Sequence, residues 1–186
     1  MSIRRLFLNL LIAAVPVTLV WLLLTPFYNR FLTVAAGNLL HLIESPDLTD
    51  LVPAAEDPTY DRILRRDFPP SRQAVYSLQL NDVHFHFLLL AALFLAVPGV
   101  PWRRRLTNLS WASLIAVFFH LLLIVAWVKF ALATQLGDWS LEHYGAFARN
   151  FYGLGKHLLD LPIKLAFPLA LWVGFYWPLL DPREKR

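Results

Sequence analysis

The side chains of this 186-residue chain that could do chemistry gather near the ends of its apolar stretches. Asn81, Asp82, His84 and His86 open one such stretch, and His157, Asp160 and Lys164 open another. Lys129 lies near the close of a third, with His120 deeper inside it. Ionisable groups in hydrocarbon are costly, so they normally face a bundle interior or an aqueous cavity. Asn81, Asp82, His84, His86, His120, Asp160 and Lys164 therefore form a candidate outer-leaflet polar site. At 1.5 Å per residue, His120 should sit about two to three turns below the outer end of its helix, within reach of His86 and His157 if those helices are neighbours. A structural reading stands beside the functional one. Lys129 and Lys164 can snorkel, Asp160 and Lys164 stand at i,i+4 and can pair, and His84 and His86 lie close enough to the interface to be hydrated.

Metal and haem chemistry both place demands on these residues. His84 and His86 could share a metal on extended backbone, but on a helix their side chains point about 200° apart. A bis-histidine haem needs two imidazoles at matching depth on facing helices, whereas six histidines here supply one deep candidate and shallower ones. The chain has no cysteine, which removes thiol nucleophiles, disulfides, thiolate zinc and iron–sulfur clusters together. No phosphate-binding loop, dinucleotide fingerprint, zinc-protease helix or serine-hydrolase elbow occurs, and no internal repeat is visible. No catalytic residue, metal or cofactor is assigned on this basis.

What must position the polar residues is a set of membrane spans. Hydrophobic residues make up 58% of the chain and charged residues 16%, with a mean hydropathy of +0.51. Ordinary soluble domains run near about 45–50% apolar and about 25% charged. Four segments meet the template of about 20 apolar residues: 6–24, 83–100, 109–133 and 158–180. The last carries Asp160 and Lys164 in its opening turns. The expected fold is an all-α integral membrane protein, a single membrane domain over 1–186, with four transmembrane helices and an extracytoplasmic segment between the first and second. The first apolar run exceeds the about 7–15 residues of a signal peptide and closes on Trp21, Thr25, Pro26 and Phe27 without small-residue cleavage chemistry, so it reads as an uncleaved anchor.

Basic residues set the orientation. With Arg4 and Arg5 cytoplasmic, Arg103, Arg104 and Arg105 fall on the same side, as do Arg183, Lys185 and Arg186. That places eight Lys/Arg inside against two acids, Asp181 and Glu184, in accord with the positive-inside rule. The expectation is a bacterial inner (plasma) membrane protein, multi-pass, with both termini cytoplasmic. The arginine triplet reads as a topology signal and not as a nucleic-acid patch. The sequon at Asn108 and Ser110 then lies inside, where it is not glycosylated.

The outer segment 26–82 changes composition. Phe31, Val34, Ala35, Leu39, Leu42 and Ile43 have the spacing of an amphipathic helix that lies on the membrane or continues the first span beyond Pro26. From Ser45 to Arg72 the chain is rich in Pro, Asp and Arg and reads as loop with one or two short helices. Residues 73–80 alternate and predict a strand whose partner is not evident in the chain. The outer loop 135–157 carries Trp139, Tyr144, Phe147, Phe151 and Tyr152, an interfacial aromatic belt, while Trp102, Trp111, Trp172 and Trp177 bracket the inner side.

This layout resembles membrane proteins associated with exosortases, within the exosortase/archaeosortase neighbourhood. The residues that carry the resemblance are Leu78, Gln79, Leu80 and Asn81 at the end of the strand-like stretch, the span entered at His86 and running to Pro98, and the basic turn Arg103 to Arg105. The transpeptidase-type enzymes of that group use a cysteine, absent here, so the resemblance implies an accessory partner in envelope protein sorting or export and not a sortase. The expected function is a non-enzymatic accessory or assembly subunit of a cell-envelope membrane complex, its partners being membrane lipid and other membrane-protein subunits. A small membrane enzyme or transporter using the outer-leaflet site, and a haem-binding redox subunit, remain as alternatives.

Overall fold

The computed structural model describes residues 3–57 and 59–180. The basic tail read for topology, with Asp181 and Glu184, lies outside them. Seven helices and three strands follow in order among the described residues: α1 (Ile3–Ile43), β1 (Thr49–Pro53), β2 (Tyr60–Arg65), β3 (Ala74–Gln79), α2 (Leu80–His84), α3 (Phe87–Ala96), α4 (Trp102–Thr134), α5 (Asp138–His143), α6 (Ala146–Leu158) and α7 (Lys164–Leu180). Three helical stretches are long and apolar enough to cross a membrane: Arg4–Ile43, Trp102–Thr134 and Ala146–Leu179. Their outward positions are apolar, with Leu11, Ile12, Val15, Phe118 and Leu165 each more than half or close to half exposed. Hydroxyls within them bond carbonyls one turn back, as Thr18 does to Ala14 and Ser113 to Leu109.

The second expected span, 83–100, takes a different form. It is divided between α2 and the ten-residue α3, with a turn at Phe85 and His86 between them. Ten residues rise about 15 Å, about half of a hydrocarbon layer. α3 stops because Val97 precedes Pro98, which disfavours the helical region for the residue before it; Val97 adopts φ −61°, ψ 114°. The fourth expected span, 158–180, begins earlier, since α6 runs through a π-helical turn at Leu159–Ile163 into α7. Pro162 lies in that turn, where the missing amide hydrogen is absorbed by the wider helical winding.

The chain divides into two compact units, each drawing on parts of α1 and α4. The first contains the chain up to Leu23, Phe85–Phe118 and the chain from Pro162. Its core joins Leu90, Leu93, Phe94 and Val97 to Ala112, Ala116, Trp172 and Tyr176. Carbonyls at the end of α3 and in the turn after it are satisfied by side chains: Arg105 donates to Leu95 at 2.6 Å and to Val100 at 2.9 Å, and Asn9 to Ala96 at 3.0 Å. Arg103 and Arg104 are exposed.

The second unit comprises Leu24–His84 and Phe119–Leu161. It corrects three expectations. The stretch Ser45 to Arg72, read as loop and short helices, contains β1 and β2 with a single 3-10 turn at Pro70–Arg72. The strand expected at 73–80 exists as β3, and its partner is within the chain: the sheet order is β1-β2-β3, antiparallel, with Asp61 opposite Leu78 and Thr49 opposite Arg65. The outer loop 135–157 is mostly helical, forming α5 and α6. The fold is therefore mostly but not wholly helical. The buried face of the sheet carries Thr49, Leu51, Asp61, Ile63, Arg65 and Leu78. Two charged residues on that face mask the period of two that would have revealed β2. Arg65 is answered there by both Asp67 oxygens at 2.9 and 2.8 Å, by Thr49 at 3.1 Å, and by the Trp139 ring at 4.9 Å.

Candidate functional site

α1 does not stop at Pro26 but carries Tyr28, Asn29 and Thr33 onward as one continuous helix. These three residues organise the buried polar groups of the second unit. Tyr28 Oη lies 2.6 Å from His120 Nδ1, and its ring meets the His84 ring edge-on at 5.1 Å. The His84 and His120 rings are 6.2 Å apart. Asn29 donates its amide to Asn81 Oδ1 at 3.0 Å, which leaves its own oxygen as an acceptor. His84 Nε2, 2.6 Å from that oxygen, must therefore carry a proton. Both histidines have no solvent exposure. A protonated Nε2 on His84 with two linked amides, and beside it a tyrosine hydroxyl on His120, make two largely buried hydrogen-bonded sets in ring contact with each other.

Of the residues expected to form a site, Asn81, His84 and His120 are brought together, through Tyr28 and Asn29. Asp82 is exposed and lines a small cleft with Tyr60, Tyr76 and Trp127. Asp160 forms an ion pair with Lys156 at 3.3 Å. His157 sits against Phe130, the centroids 6.2 Å apart. His86 and Lys164 belong to the first unit, where His86 meets Phe167 at 6.0 Å and Lys164 lies over Phe85 at 5.6 Å. Lys164 is only 7% exposed, so it does not snorkel. Nor does Lys129, whose ammonium is 2.5 Å from Glu44 in a mostly buried pair. No group of three His, Asp or Glu able to hold a metal occurs among the described residues.

A second feature escaped the sequence reading. A cavity of about 590 Å³ opens between α1 and the sheet, lined by Asn29, Arg30, Thr33, Gly37 and His41 from the helix and by Asp50, Leu51 and Asp61 from the strands. Asp50 is engaged, with Arg66 at 2.6 Å and His41 at 3.2 Å, and the Arg66 guanidinium holds its carboxyl below the usual carboxylate range. Asp61 is different. It is 1% exposed, and neither oxygen has a hydrogen-bond partner. Burial pushes its pKa up from 3.8 to about 6, with the nearby Thr33 hydroxyl opposing that rise. Thr33 relieves little, because its own proton goes to the Asn29 carbonyl at 3.0 Å. The signal that could have exposed this wall of the cavity is the i,i+4,i+8 series Asn29, Thr33, Gly37 in an otherwise apolar helix.

Compared with known families, curated proteins and solved structures, the chain matches none.

Proposed function

We propose that this chain is a non-enzymatic accessory or assembly subunit of a cell-envelope membrane complex, acting in protein sorting or export. In this reading it resides in a bacterial inner membrane with four spans, α2 and α3 together supplying the second, and with both termini cytoplasmic. The observation that carries the proposal is the free edge of β3. Among the described residues β3 pairs with β2 alone. Its sequence, Ala-Val-Tyr-Ser-Leu-Gln, has no lysine or proline, and its one register shift against β2 lies near its start, between Ala74 and Tyr76, whereas β1 at the other edge ends in Pro53. The regular stretch 76–79, an edge with no lysine or proline on a small sheet, suits strand addition by a partner segment.

The test is recovery of partner proteins from membranes in mild detergent with the native chain and with Ser77→Lys. Ser77 is exposed on β3, so a lysine there leaves the sheet's buried face untouched while opposing edge pairing. Loss of a partner with normal protein level supports the reading. An unchanged partner set, or a stable monomer that restores function alone, refutes it. The buried Tyr28–His120 and His84–Asn29 pairs favour a second reading, a small enzyme or transporter. Normal complementation by His120→Leu would remove it.

A further inference from the structure

Asp61 carries a carboxyl that the fold buries without answering. It is 1% exposed, neither oxygen accepts a hydrogen bond, and both its strand and its position place it on the wall of the α1–sheet cavity. Carboxylates enter low dielectric when something cationic or strongly donating meets them. Among the described residues neither oxygen finds such a partner: the Thr33 proton is on a carbonyl, and His41 on the cavity wall is bonded to Asp50. A divalent ion would need further oxygen ligands, but Asp50 is already held by Arg66. A compact ammonium group with three donors fits the chemistry better.

The same cavity has an anion-binding element. Arg30 lines it, is exposed, and pairs with no carboxylate among the described residues. Arg30 shares a helix face with Phe27, Phe31 and Val34, which are 76%, 49% and 59% exposed. A guanidinium next to an open apolar stripe suits a phosphate that continues into acyl chains. Gly37 leaves the cavity wall open, since a Cβ there would meet nothing within 4 Å.

We propose that the α1–sheet cavity binds an amine–phosphate head group, the ammonium on Asp61 and the phosphate at Arg30. The head group comes either from phosphatidylethanolamine or from free phosphoethanolamine, and the acyl chains of the lipid form lie along Phe27, Phe31 and Val34.

The full-length protein in mild detergent is offered phosphatidylethanolamine, phosphatidylcholine and phosphatidylglycerol with identical chains, and retention is read by native mass spectrometry. Soluble phosphoethanolamine is titrated separately by calorimetry. Phosphatidylethanolamine should be retained about tenfold or more over the other two, the scale set by one buried charge-assisted hydrogen bond. Asp61→Asn should abolish that preference. Gly37→Phe, whose Cβ would enter open space on the cavity wall, should do the same with Asp61 intact. Binding of soluble phosphoethanolamine with the same dependence on Asp61 identifies the free head group as ligand, and binding of the lipid alone identifies the membrane form. Equal retention of the three lipids with no binding of phosphoethanolamine overturns the proposal, as does a preference that survives either Asp61→Asn or Gly37→Phe.

Discussion

Replacing Asp61 by asparagine should make the delipidated protein more stable at neutral pH. The folded carboxyl titrates near 6 against an ordinary 3.8. Between those values the folded state keeps a proton that the unfolded chain has already released, so stability falls as pH rises through the window and stays reduced above it. The full difference would correspond to about 3 kcal/mol. The cavity is open to solvent, which screens part of the penalty, so about 1–3 kcal/mol is the working range. Asparagine has the same shape and no charge, and should recover that amount. For a chain of this size that is a rise of about 2–4 °C in Tm per kcal/mol. Intrinsic fluorescence from the seven tryptophans follows thermal unfolding of both proteins across pH. The two curves should coincide below about pH 4 and separate progressively to about pH 6. Asp50 and Asp67, held low by Arg66 and Arg65, act equally in both proteins and cancel. A native protein as stable as Asp61→Asn at neutral pH would refute the reasoning that this carboxyl is buried without an internal partner.

Lys129→Gln should cost about 3 kcal/mol or more by leaving the Glu44 carboxylate buried and unopposed, and adding Glu44→Gln should recover most of it; a loss within experimental scatter of zero would show that the pair is solvated. Tyr28→Phe and His120→Leu should leave membrane insertion intact and show a coupling of about 0.6–2 kcal/mol in a double-mutant cycle, whereas strict additivity would mean that the 2.6 Å contact carries no net energy. Reporter fusions after Arg105 and after Arg186 should report cytoplasm and one near Asp57 the outer side. A cytoplasmic signal at Asp57 would reverse the proposed topology.

Long apolar helices could be read from the sequence because the criterion for them is local. About 20 consecutive apolar residues satisfy hydrocarbon wherever the rest of the chain goes, and α1, α4 and the α6–α7 stretch all contain such a run. Local signals also reached β3, which carries no charged residue, but not β2, where Asp61 and Arg65 sit at inward positions that hydrophobic patterning assigns to apolar residues.

Partner choice was decided by tertiary structure. His120 was recognisable as a deep polar residue in an apolar helix, but that Tyr28 and His84 meet it follows from α1 continuing past Pro26 and from α2 returning beside it, separations of 92 and 36 residues along the chain. Lys129 and Lys164 were placed at the boundary by position alone, and packing made one half of a buried ion pair and buried the other against Phe85. Apolar content adds up along a segment and can be counted from the sequence. A buried polar group, by contrast, is stabilised or left costly by whichever atoms lie within about 3 Å of it, and for Asp61 those atoms come from strands and a helix whose register no local pattern specifies.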